Sequence, residues 1–193
     1  MMRRPIAVST AFVLGIICPS VIAFAFEAEG QSTYEGRTTT YKTAVAERVR
    51  KTGGDFKFHF VTVTLYPWSF SDEQKEKMLK SNYGGAVKRK ELSEFIAAQG
   101  MTEGDHYVRL TFNLKDEEAD FAAENIDWVT LTWFSLPATN STSRLPAEAK
   151  LENFRVDKLE QGGTVSFDLK RETDGQKIAV RVKATIARSS VRQ

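Results

Sequence analysis

"TVSFDLKRETDGQKIAVRVKATIA", residues 164–187, decides the fold class. Val165, Phe167 and Leu169 recur at every second residue, and so do Ile178, Val180, Val182, Ala184 and Ile186. A period of two puts each set on one face of a strand. Between them, Asp174-Gly175 supplies the residue types that a tight hairpin turn demands. The alternate positions Asp168, Lys170, Arg181, Lys183 and Thr185 read as the solvated side. The segment is thus an antiparallel hairpin with one apolar face that another layer must cover.

Upstream the same period returns. "HYVRLTFNLK", 106–115, sets Val108, Leu110, Phe112 and Leu114 against Tyr107, Arg109, Thr111 and Asn113. "DWVTLTWFSLP", 127–137, is apolar on both faces, which marks a central strand, with Trp128 and Trp133 on opposite sides. "PATNSTSRLP", 137–146, is polar, bounded by prolines, and reads as a loop. Residues 37–67 read as a hairpin turning at Gly53-Gly54-Asp55, with a helix over Tyr41–Arg50 as the rival pattern. Inside it, Phe56, Phe58 and Phe60 share one face, but from Val61 the apolar phase moves to Val61, Val63 and Leu65. Either a bulge inserts one residue there or the strand is central and covered on both sides; both versions place the phenylalanines in the interior.

Between these strands, "SDEQKEKMLKSNYGG" opens on a capping box, Ser71-x-x-Gln74, and stops at Gly84-Gly85. "VKRKELSEFIAAQG" follows with a Leu92, Phe95, Ile96 stripe and a terminal Gly100. The expected architecture is one mainly β domain over 37–193, an antiparallel β-sandwich or partly closed barrel, with a two-helix insertion at about 71–100.

The amino end is read differently. Residues 1–25 carry Arg3 and Arg4, a mostly apolar run from Ile6 to Ile17, a break at Pro19, and small residues Ala23 and Ala25 before Phe26. That is the pattern of a cleavable export signal, and its apolar run is shorter than the ~20 residues of a membrane-spanning helix. Periplasmic or secreted location is expected, with no stable membrane insertion after cleavage and a flexible segment over 26–36. The signal holds two of the 27 basic groups, none of the 25 acidic ones and the single cysteine, Cys18. The remainder is formally neutral and thiol-free, which argues against nucleic acid as a partner and against cysteine catalysis.

Catalytic furniture is sparse. A serine triad needs a histidine base, and the chain has only His59 and His106, with no Gly-x-Ser-x-Gly elbow. His59 reads as a structural histidine and His106 as a surface residue. With Asp105 they would make three metal ligands, but each histidine opens its strand, so antiparallel pairing separates them by roughly 20 Å. No metal or cofactor is expected. The carboxylates Asp116, Glu117, Glu118 and Asp120 lack calcium-loop spacing and read as a solvated loop or the acidic start of a short helix through "EEADFAAEN". Trp68, Phe70 and Tyr83 differ, because Trp68 and Phe70 follow Pro67 at the mouth of the sheet, where they either glue a helix down or form a stacking platform. The sequence thus points to a non-catalytic binding or structural module with an unidentified protein or small-molecule partner. Two alternatives remain: a carrier of an apolar or sugar-like ligand walled by Trp68, Phe70 and Tyr83, and a hydrolase using Glu117 or Glu118.

Overall fold

The computed structural model describes residues 26–53, 57–71, 73, 98, 106–115, 120–135, 139–144, 150–173 and 175–192. They form a mainly β structure: β1 (Phe26–Tyr34), β2 (Arg37–Thr40), β3 (Thr43–Lys51), β4 (Phe58–Tyr66), β5 (His106–Leu114), β6 (Ile126–Ser135), β7 (Thr139–Arg144), β8 (Lys150–Val156), β9 (Thr164–Thr173) and β10 (Gln176–Arg192). One 3-10 turn, Ala123–Asn125, precedes β6. The ten strands make a single sheet that curls into an open half-barrel.

The long β10 holds it together. Its first half lies antiparallel between β1 and β9, with Gly30 opposite Val180 and Phe167 opposite Val182. A register irregularity between Ile186 and Arg188 follows, and the second half runs parallel to β3, with Ser189 opposite Arg48. One limb therefore reads β2-β1-β10-β9-β8 and the other β10-β3-β4-β5-β6-β7. At the changeover, Ile186 exchanges main-chain hydrogen bonds with Gly162 and Gly163, while Thr185 is buried instead of lying on the solvated side.

The inner faces of the two limbs meet. Phe112 of β5 packs its ring 5.0 Å from Phe167 of β9 and 5.0 Å from Phe154 of β8. The alternating set read from the sequence, Val165, Phe167, Leu169, Ile178, Val180, Val182 and Ile186, joins Val61, Val63, Leu65, Val108, Leu110 and Leu131 in that core. Burial of this apolar area is the main stabilising term.

Several expectations need correction. Residues 26–36 are not a loose end, because β1 pairs along its length with β10 and then with β2. Its inward positions are Ala28, Gly30, Ser32 and Tyr34, so no apolar alternation announces it. The 137–146 stretch is not wholly a loop either. Thr139–Arg144 pairs with β6, a polar edge strand set between the two prolines. The 43–51 segment is a strand, which removes the helical rival. β4 continues without a bulge between β3 and β5. Of the two readings, the central strand is therefore the one found, and Val61, Val63 and Leu65 take the core. Phe58 and Phe60 face outward, half-buried, instead of filling the interior. Phe56 and nearly all of the expected two-helix insertion at 71–100 lie outside the described residues. No helix among those described is long and apolar enough to cross a membrane.

Candidate functional site

The outer face of β3–β6 is where the chain places aromatic mass that the core does not use. Register fixes its rows. Thr43, Tyr66, Tyr107 and Phe134 form one row. Leu65 opposite Val108 puts Tyr66 beside Tyr107, and their rings stack at 5.5 Å. Tyr107 then stacks on Phe134 at 4.7 Å with planes only 4° apart. Cross-strand aromatic pairs of this kind are the sheet's own adhesive. Arg109 lies 5.1 Å from the Phe134 ring centroid, within cation–π range.

The chain folds back over this end after Pro67. Thr43 Oγ1 donates to the Trp68 carbonyl at 2.8 Å, and Lys42 N–H donates to the Tyr66 carbonyl at 2.9 Å. Trp68 and Phe70 then flank Tyr66, at 5.5 and 5.0 Å, and meet each other edge-on at 5.9 Å. Two of the three sequence-selected residues are thus brought together, and Tyr83 lies outside the described residues. Phe70 is buried, so it acts as packing. Trp68 is half-buried, and its indole N–H, sealed from solvent, has no hydrogen-bond partner among the described residues.

A belt of threonines crosses the middle of the face, with Thr62 and Thr64 buried. Glu47 sits in this belt beside Thr62 and Arg188. Burial pushes its carboxyl above the usual glutamate range, and the nearby Arg109 and Arg188 pull the other way. Beyond the belt the face turns apolar again. Phe58 and Phe60 stack at 5.3 Å, Val49 lies opposite Phe60, and Asn113 separates Phe60 from Trp128. At a strand spacing of ~4.8 Å, Phe60 and Trp128 stand about 10 Å apart. Trp128 is 36% exposed, whereas its strand-mate Trp133 is 1% exposed in the core, which is the division their parity implies.

His106 is not a surface residue. It is fully buried at the inner end of β5, because β1 and β2 close over it. Ser32 Oγ lies 2.9 Å from its Nε2, and Thr39 Oγ1 lies 3.2 Å from its Nδ1. Tyr41 hydroxyl bonds the same Ser32 Oγ, and burial drives the Tyr41 pKa well above the ordinary phenol value. Tyr34 and Trp133 wall the cluster, stacked on one another at 5.1 Å. A hydroxyl bonded to imidazole is the local geometry of a nucleophile and its base. Here Ser32 is 1% exposed and His106 0%, so no substrate reaches the pair. Its work is to satisfy buried polar groups and tie β1–β2 to β5.

His59 is buried as a structural residue, edge-on to Phe121 at 4.8 Å. It accepts a hydrogen bond from Arg48 Nε at 2.9 Å. The two histidines occupy opposite ends of the β4–β5 pair, as antiparallel pairing requires. Among the described residues no group of three or more metal-ligating side chains comes together. Asp105, Glu117 and Glu118 lie outside those residues, and Asp120 is exposed. No protein-family model, curated protein or solved structure matches the chain.

Proposed function

We propose that this chain is an exported β-sandwich module that acts by binding, through the outer face of β3–β6, and not by catalysis. One observation supports the reading above the others. Phe58, Phe60 and Trp128 are spent on the side of the sheet that the core leaves unused, where a solvated sheet would carry polar residues. The export signal over residues 1–25 and the formally neutral remainder favour a periplasmic or secreted partner that is neither nucleic acid nor lipid bilayer.

The test is site-specific photocrosslinking in exporting cells. A crosslinking residue replaces Phe60 or Trp128, and a control replaces Lys183 on the other limb's outer face. Adducts from positions 60 and 128, absent at 183, are the expected result. Equal labelling at all three positions, or none, refutes the binding face. Sequencing the amino end of the exported protein checks the signal, and a start at Phe26 is expected.

A second reading, the carrier of a small apolar or sugar-like ligand, draws on Trp68. Its half-buried indole, with an N–H unmet among the described residues, is the kind of group a bound acceptor would satisfy. Under that reading, tryptophan fluorescence shifts on titration with lipids or saccharides, and the shift is lost in Trp68→Phe.

A further inference from the structure

The inner face of β3 changes character along its length. Ala44 and Ala46 are fully buried in the core, but the next two inward positions are Arg48 and Arg50. Around them stand Ser189 and Val191 of β10, opposite Arg48 and Arg50 respectively, and His59 of β4, opposite Arg50. This is the open end of the half-barrel, where from Arg188 onward β10 has β3 on one side and no described strand on the other.

Arg48 is held in place without being neutralised. Its Nε donates to His59 Nε2 at 2.9 Å, and its Nη1 donates to Ser189 Oγ at 3.2 Å. An arginine N–H can only donate, so His59 Nε2 is the acceptor and the neutral ring keeps its proton on Nδ1. Both acceptors are neutral groups, and Arg48 makes no ion pair among the described residues. Three of its five N–H groups have no hydrogen-bond partner among the described residues. Burial and the neighbouring Arg50 charge push the Arg48 pKa down, and Glu160 acts in the opposite sense. A half-buried guanidinium oriented by two neutral acceptors, with donors left over, is the arrangement that recognises an oxyanion. Beside it lie apolar contacts: Val191, 58% exposed, and the Phe121 ring against His59.

We propose that Arg48, positioned by His59 and Ser189, binds a carboxylate carried on an apolar tail, with the tail lying over Val191. The site is on the opposite side of the sheet from the binding face proposed above and stands or falls independently of it. Calorimetric titration of the whole chain tests it. Octanoate is the probe, and octanamide, acetate and inorganic phosphate are the comparisons. Octanoate is expected to bind saturably and more tightly than any of the three. Arg48→Met should weaken octanoate about ten- to a hundred-fold, the range for losing a charge-assisted hydrogen bond. Val191→Ser should weaken octanoate several-fold and leave acetate unchanged; as an exposed position it keeps the test open if Arg48→Met fails to fold. Octanamide binding as well as octanoate overturns the role of the charge. Acetate or phosphate matching octanoate overturns the role of the tail. Absence of saturable octanoate binding, or full affinity in a folded Arg48→Met protein, overturns the site.

Discussion

Gly30→Ala is the sharpest test of how β1 is seated on β10. Gly30 has φ +128°, a region that side chains with a Cβ rarely enter. A Cβ there would lie 2.2 Å from the Ala179 carbonyl oxygen and 2.8 Å from the Val180 Cα, both main-chain atoms of the opposing strand. Neither can rotate away. Relief requires lifting β1 from β10, which also disturbs the Gly30 carbonyl that accepts the Tyr41 N–H at 2.9 Å. Backbone strain of ~1–3 kcal/mol and overpacking of ~1–3 kcal/mol together give a loss of about 2–6 kcal/mol. For a chain of this size, that lowers the melting midpoint by roughly 4–24 °C. Gly36 supplies the control: its φ is +78°, with nothing within 4 Å of an added Cβ. Gly36→Ala should therefore lose only the left-handed penalty of about 1–2 kcal/mol. Urea unfolding followed by far-ultraviolet circular dichroism compares the two. Equal losses, or a Gly30→Ala protein within ~0.5 kcal/mol of the parent, would refute the close approach.

Two further outcomes follow from buried polar groups. Ser32→Ala, Tyr41→Phe and the double variant should each lose stability. The double loss should differ from the sum by ~0.5–3 kcal/mol, because both hydroxyls serve one bond, and strict additivity in the melting free energies would disprove the shared network. Glu47 has a folded-state pKa raised above the ordinary glutamate value of 4.5. Its contribution is therefore full below pH ~4.5 and is lost as pH rises through the higher folded value. Relative to Glu47→Gln, the parent should lose stability as pH climbs above the ordinary glutamate range; a pH-independent difference between the two melting curves contradicts this.

What the sequence discloses is what neighbours along the chain decide. The β9–β10 hairpin is legible because its partners are adjacent and its inward residues are uniformly apolar. Trp128 and Trp133 separate by parity alone. β1 is hidden because glycine and serine occupy inward positions, and β7 because threonine and serine carry no alternation. β8 escapes for another reason. Asn153, at φ +54°, sits in a register irregularity between Glu152 and Arg155, so Leu151, Phe154 and Val156 all reach the core despite their mixed parity. At the sites, Trp68 and Phe70 could be picked out because they follow Pro67 directly. His106 could not be placed, since its hydroxyl partners lie 67 and 74 residues earlier. The misplaced Phe58 and Phe60 show the limit of the period itself: alternation divides residues into two faces but does not say which one is inside. Arg48 passes in sequence for an ordinary surface charge until β10 arrives beside it.

The double allegiance of β10 imposes an order on assembly. Both β1, near the start of the described chain, and β3 wait for a strand that is synthesised after all the others, so neither limb can be completed on the ribosome while residues 176–192 are missing. Such long-range pairing makes for slow folding.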